Sequence, residues 1–198
     1  MYNTKTAIIN NEEFNSNYMP VGINENITLK EVSAEKSPQG KDFLRVTFEN
    51  EAGQTAEFVE WKNEKNMWIK TDEDLQNKDN LQFGRILQLV NCFTTAPDVE
   101  LNSFVDMINW VKSTVTPFIS TKKKLRLKVI YDKKGYTQVS KYGTYVEPMD
   151  VEESQIKLFK NDLLERPVKA DVEKPADPLA ATIADTPVTE NKTDDLPF

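Results

Sequence analysis

The spacing of the apolar side chains is what most limits the folds open to this chain. Over residues 21–61, and again over 124–146, apolar and polar residues alternate with a period of two, the period of a strand and not of a helix. Ile27 and Leu29 point one way while Thr28 and Lys30 point the other, and this first strand runs to about Ser33. Ser37-Pro38-Gln39-Gly40 has turn chemistry, after which Leu44, Val46 and Phe48 alternate with Phe43, Arg45 and Thr47. Glu51-Ala52-Gly53-Gln54 turns the chain again, into Ala56 and Phe58 on one face and Glu57, Val59 and Trp61 on the other. Connections this short join only antiparallel neighbours, so the spacing predicts a three-stranded meander. The pattern resumes at Lys124–Tyr131, turns at Asp132-Lys133-Lys134-Gly135, and returns over Tyr136–Val146, with Gly143 marking a bulge.

Between the two β segments the period changes. Residues 62–80 are polar and charged around an apolar centre, Met67-Trp68-Ile69, which lies between Lys65 and Lys70. A loop this long is functional or disordered, and Trp68 either meets a ligand or pins the loop to the sheet. Leu81, Ile86, Leu87, Val90 and Phe93 then recur at helical spacing, as do Phe104, Met107, Ile108, Val111 and Val115 after Pro97, with Pro117 ending the second helix. Both apolar stripes read as core. Residues 1–20 read as an arm with little regular structure, and Ile156, Leu158, Phe159, Leu163 and Leu164 suggest a short helix over 151–164. Three strands, helical material, then two strands is the layout of a five-stranded oligonucleotide/oligosaccharide-binding (OB) barrel with a helical insertion. The expectation is therefore a mainly β domain over residues 21–150.

The net charge of −7 argues at first against a nucleic-acid ligand, because neutralising phosphates takes clustered Lys and Arg. Its distribution reverses that reading. Residues 1–150 carry 19 Lys+Arg against 21 Asp+Glu, while residues 151–198 carry 6 against 11. Between Lys122 and Tyr142 there are eight basic residues and one acid, Asp132. On the strand over 124–131 the basic side chains form a comb, Lys124, Arg126 and Lys128, opposite the apolar Leu125, Leu127 and Val129. Binding a single strand without sequence preference needs a cationic groove and aromatic faces on which bases stack. The stacking candidates are Phe43, Trp61, Trp68, Tyr136 and Tyr142. The phosphate candidates are Arg45, Lys122, Lys123, Lys124, Arg126, Lys128, Lys133, Lys134 and Lys141. Phe43, Arg45 and Trp61 lie opposite the apolar positions of their strands, which places them on the outer face unless the helices cover it.

Catalytic chemistry finds little support. There is no histidine, which removes the commonest general base and metal ligand, and Cys92 is the only cysteine. Asp72, Glu73, Asp74 and Asp79 lack the glycine and terminal glutamate of a calcium loop and read as solvated loop, and no glycine-rich phosphate motif is present. No catalytic residue, metal or cofactor is assigned. With no signal-peptide pattern over residues 1–11 and no run of 18 apolar residues, the chain reads as a soluble cytoplasmic protein.

Residues 165–198 hold five of the ten prolines, no glycine, one aromatic and eight acids against four bases. Such a composition buries too little apolar surface to offset its ordering entropy and predicts a disordered linker, its 34 residues spanning about 30 Å. It ends in Thr193-Asp194-Asp195-Leu196-Pro197-Phe198. An acidic pair followed by an aliphatic residue, proline and a C-terminal phenylalanine resembles the tail tip of bacterial and phage single-stranded-DNA-binding proteins. The resemblance covers these six residues. It implies an OB-fold body that coats single-stranded DNA during replication, recombination or repair. It also implies a tip, Asp194, Asp195, Leu196, Pro197 and Phe198, that docks replication and recombination proteins, in the bacterial host's cytoplasm if the chain is phage-encoded. A pocket of apolar lining rimmed by Lys or Arg would take the aromatic ring and the carboxylates. The competing readings are a protein-only adaptor and, more remotely, an acid-dependent nuclease.

Overall fold

A computed structural model describes residues 17–167. The sequence's β pattern becomes six strands and its helical pattern two helices. β1 (Gly22–Lys36), β2 (Asp42–Glu49) and β3 (Thr55–Trp61) form the meander, α1 (Asp72–Asn91) and α2 (Phe104–Val115) follow, and a 3₁₀ helix over Thr116–Thr121 leads into β4 (Leu125–Tyr131), β5 (Thr137–Val139) and β6 (Val146–Pro148). All pairings between strands are antiparallel, in the order β3-β2-β1-β4-β5, with β6 also on β4.

β1 is the hinge of this arrangement. Its first residues, Gly22 to Ile27, pair with β4, and the rest, from Thr28 to Lys36, pair with β2. The changeover falls at Asn26, whose φ of 58° is left-handed, and at two breaks in register. One long strand thus joins the meander to the second β segment. The sheet is open, since no strand pairing joins β3 to β5 among the described residues. Lys141 crosses that seam from the β5 side, donating to the carbonyl of Val59 and lying 3.4 Å from Glu60.

The core lies between the sheet and the two helices. Leu44, Val46, Phe48 and Phe58 meet Ile86, Leu89 and Val90 of α1 and Ile108, Val111 and Val115 of α2 in one buried cluster. Tyr145 is fully buried, stacks on Phe58 at 4.9 Å and donates its hydroxyl to the Arg85 carbonyl at 3.0 Å. Burial raises its pKa well above the ordinary tyrosine value. Met19, the one large residue of the arm that is described and buried, also enters the core, and Tyr18 bridges to Thr55. Burial pushes the Cys92 thiol up to about 12, so it is a small buried hydrophobe and not a nucleophile.

Several expectations are corrected. α1 begins at Asp72, so the loop after β3 spans only 62–71, and the acidic cluster Asp72-Glu73-Asp74 is the first turn of a helix. Thr71 caps that turn by accepting from Asp74 N at 3.0 Å while the Asp74 carboxylate accepts from Thr71 N at 3.0 Å. Those bonds hold the Asp74 carboxyl below its usual range. Leu81 is exposed, and the buried stripe of α1 runs instead through Gln82, Ile86, Leu89 and Val90. The second hairpin strand is split into β5 and β6 opposite Lys128, where residues 141–144 loop out between Ser140 N, which donates to Lys128 O, and Tyr145 O, which accepts from Lys128 N. Gly143 sits at the crest with φ 64°, and a Cβ there would stand 2.7 Å from the Phe159 ring. Only glycine satisfies both conditions.

The predicted helix over 151–164 is not formed. That stretch is an irregular strap, because its polar groups bond to β4 and β6 and in short local turns, such as Asp162 N to Phe159 O at 2.9 Å, and not in a helical ladder. Gln155 N donates to the Glu147 carboxylate at 2.9 Å, Tyr131 N donates to Leu163 O at 2.8 Å, and Ile156 and Asp162 are buried. Residues 1–16 and 168–198, which include the predicted tail and its tip at Asp194–Phe198, lie outside the described residues.

Candidate nucleic-acid interface

Phe43 and Trp61 occupy paired positions on β2 and β3, on the face of the sheet away from the core. Their rings stack at 4.5 Å with 29° between planes, which leaves Phe43 5 % exposed and Trp61 44 % exposed. Phe43 is therefore a backing for Trp61 and not itself a free face for a base. Arg45, two residues along β2, places its guanidinium 5.3 Å from the Phe43 ring centre. It also contacts Glu35 at 3.5 Å and Glu57 at 3.9 Å. Its Nε is buried and has no hydrogen-bond partner among the described residues. A buried donor left in this state carries a desolvation cost.

Trp61 opens onto a cavity of about 510 Å³ bounded by the end of β3, the 62–71 loop and α1. Lys62, Lys65, Lys78, Arg85 and Lys141 line it, against Glu60 and Glu64. Glu60 is the organising group. Nearly buried, it accepts from Arg85 Nε at 2.8 Å and Gln82 Nε2 at 2.9 Å and faces Lys141 at 3.4 Å. One carboxylate thus holds two cations in the cavity wall. Burial pulls the Lys141 pKa down, against the opposing pull of Glu60. Lys62 and Lys78 hold no ion pair among the described residues, whereas Lys65 pairs with Asp72 at 2.6 Å and Glu64 with Lys41 at 2.9 Å.

Trp68, 85 % exposed, is presented by a built loop. Asn66 Oδ1 accepts from Trp68 N at 2.8 Å and from Ile69 N at 3.1 Å, and Ile69 is buried as the anchor. The pinning that the sequence allowed for Trp68 falls instead to its neighbour. Ile69, which also lines the cavity, pins the loop, and Trp68 and Met67 are left exposed. Tyr142 stands exposed on the bulge beside Lys141.

The basic comb of β4 does not join this surface. Lys128 is 0 % exposed: it pairs with Asp162 at 3.1 Å, donates to the Lys157 carbonyl at 3.0 Å and lies 4.5 Å from the Phe159 ring centre. No phosphate reaches it in this arrangement. Arg126 is paired with Glu25 at 3.2 Å and Glu147 at 3.3 Å. Lys124 is paired with Glu51 at 2.8 Å, and Lys123 faces Asp150 at 3.9 Å, while Lys122 is exposed at the end of the 3₁₀ helix. Lys124 sits beside the β2–β3 turn, and Phe43 lies at the other end of β2, about 20 Å away at 3.3 Å per residue. Lys133, Lys134 and Tyr136 are exposed on the β4–β5 hairpin, at the opposite end of β4 from Lys124.

Lys62, Lys78 and Arg85 were not among the sequence candidates. Arg85 was findable: once Thr71-Asp72-Glu73-Asp74 is read as a helix start, the helical phase sets Arg85 one turn beyond Gln82 on the side facing β3. Lys62 had only its place after Trp61. Comparison with protein-family models returns no match, and no curated protein matches the chain.

Proposed function

We propose that this chain is a single-stranded-DNA-binding protein, not an enzyme, which covers unwound strands during replication, recombination or repair. The observation that carries the reading is the Phe43-backed Trp61, flanked by Arg45 and opening onto a cavity lined by five cations and two acids. Stacking faces next to backbone cations are what sequence-tolerant binding requires. The strand order supports an OB-type body with its seam open between β3 and β5, because that fold is a partly open five-stranded barrel and binds oligonucleotides on strands two and three. On this reading Trp61, Trp68 and Tyr142 stack bases, and Arg45, Lys62, Lys78, Arg85 and Lys141 meet phosphates. Lys122, Lys133, Lys134 and Tyr136 are outlying contacts for a longer strand. The tip Asp194–Phe198 recruits replication and recombination proteins, as its resemblance implies.

The test is a titration of the full chain with oligo(dT), following tryptophan emission at low and moderate salt. Quenching that salt reverses is expected, and Trp61→Ala should weaken binding by roughly 5- to 100-fold, the range for one stacked base. Absence of both quenching and a gel shift would favour the second reading, a protein-only adaptor. Exposed Leu158, Phe159, Leu163 and Leu164 on the strap give that reading its own support.

A further inference from the structure

Trp61 borders open space on two sides. Besides the cavity next to α1, it lines a second one of about 360 Å³, shared with Lys62 and Glu64 and bounded by Gly40, Lys41 and Asp42 at the β1–β2 turn. Lys62 and Glu64 line both cavities, so a strand that stacks on Trp61 and enters both meets them. Lys41 is the cation that only the second cavity has. The turn fixes its backbone, since Ser37 N donates to Lys41 O at 2.8 Å and Ser37 Oγ accepts from Lys41 N at 3.1 Å. By the period of two, Lys41 falls on the outer side with Phe43 and Arg45, one cation two residues to either side of the ring that backs Trp61.

Lys41 is already engaged. Its Nζ donates to the Glu64 carboxylate at 2.9 Å, which ties the turn to the 62–71 loop. That bond holds the Glu64 carboxyl below its usual range, so Glu64 is charged wherever a nucleic-acid phosphate is. Both side chains are more than half exposed, and an exposed pair of this kind is weak. A phosphate offers Lys41 the same charge-assisted bond, and the strand releases counterions in making it. A Glu64 left where it stands would repel that phosphate from either cavity. Asp42, the other acid of the second cavity, is paired with Lys36 at 2.8 Å. We infer that the Lys41–Glu64 ion pair is a latch which a phosphate of the bound strand replaces, an inference that rests on the single-strand reading above. Lys41 then extends the binding path past Trp61, and Glu64 is the internal competitor that limits affinity for it.

The experiment measures binding of dye-labelled oligo(dT) by anisotropy over a salt series, on the full chain and on Lys41→Gln, Glu64→Gln and the double variant. Both positions are exposed, and a thermal melt verifies that each variant keeps its fold. Lys41→Gln should weaken binding and make log affinity against log salt shallower by about 0.7, the share of one single-strand phosphate. Glu64→Gln should bind roughly two- to fivefold more tightly at low salt. Lys41→Gln should also lose more affinity in the Glu64→Gln background than alone, because there the phosphate contact forms without a pair being broken. An unchanged slope in Lys41→Gln, no tightening in Glu64→Gln, or an equal loss in the two backgrounds overturns the latch, while salt-reversible binding by the unaltered chain keeps the single-strand reading. Failure of the unaltered chain to bind overturns both.

Discussion

A lysine with no exposed surface is stable only because its partners are fixed around it. Lys128 has Asp162, the Lys157 carbonyl and the face of Phe159. Removing one member of a buried ion pair leaves an uncompensated charge, typically at a cost of about 3–5 kcal/mol. Asp162→Ala should lower the urea midpoint accordingly, and Lys128→Met/Asp162→Leu should recover most of the loss; a single variant as stable as the parent would remove the strap's anchor from this account. The same residue shows the limit of alternation as a guide. Period two places Lys124, Arg126 and Lys128 correctly on one face of β4, yet says nothing of what covers that face. The covering residues arrive about thirty positions later, in a stretch whose helical spacing of Ile156, Phe159 and Leu163 misreads its structure.

At the level of elements, the strands of the meander were legible to within about three residues, β1 running past the expected Ser33 to Lys36, because short turns and a clear period leave few alternatives. The start of α1 was missed for want of its cap. Thr71-Asp72-Glu73-Asp74 satisfies three helix-start rules at once: a hydroxyl cap, a carboxylate at the third helical position that returns the bond, and acids in the positive first turn. Thr71→Ala should cost about 1 kcal/mol of unfolding free energy, read as a shift in urea midpoint without a change in slope. An unshifted midpoint would mean that helix packing alone sets this boundary. The cap also matters to the interface, since it ends the Trp68 loop where Lys65 meets Asp72. The split of β5 from β6 had one sequence signal, Gly143; the Phe159 ring packed against that glycine is something no local pattern reports.

Across the whole molecule, the acids that outnumber the bases lie mostly past residue 150. If the tail competes with DNA for the cations around Lys62, a chain ending at Pro167 should bind oligo(dT) more tightly than the full chain at low salt, and the gap should close as salt rises. Equal affinities at low salt would refute that competition. The cut belongs after Pro167, because Arg166 Nε donates to the Gly135 carbonyl at 3.2 Å and is part of the folded body. That attachment has a mechanical consequence. A partner pulling on the tail would load Arg166 first, then the bond from Tyr131 to Leu163, and only then the Lys128 pair. Contacts met one after another peel at low force, whereas a strand held in register resists as a unit. Tension would therefore lift the strap from the hairpin end while the meander and the cavity beside Trp61 stayed intact.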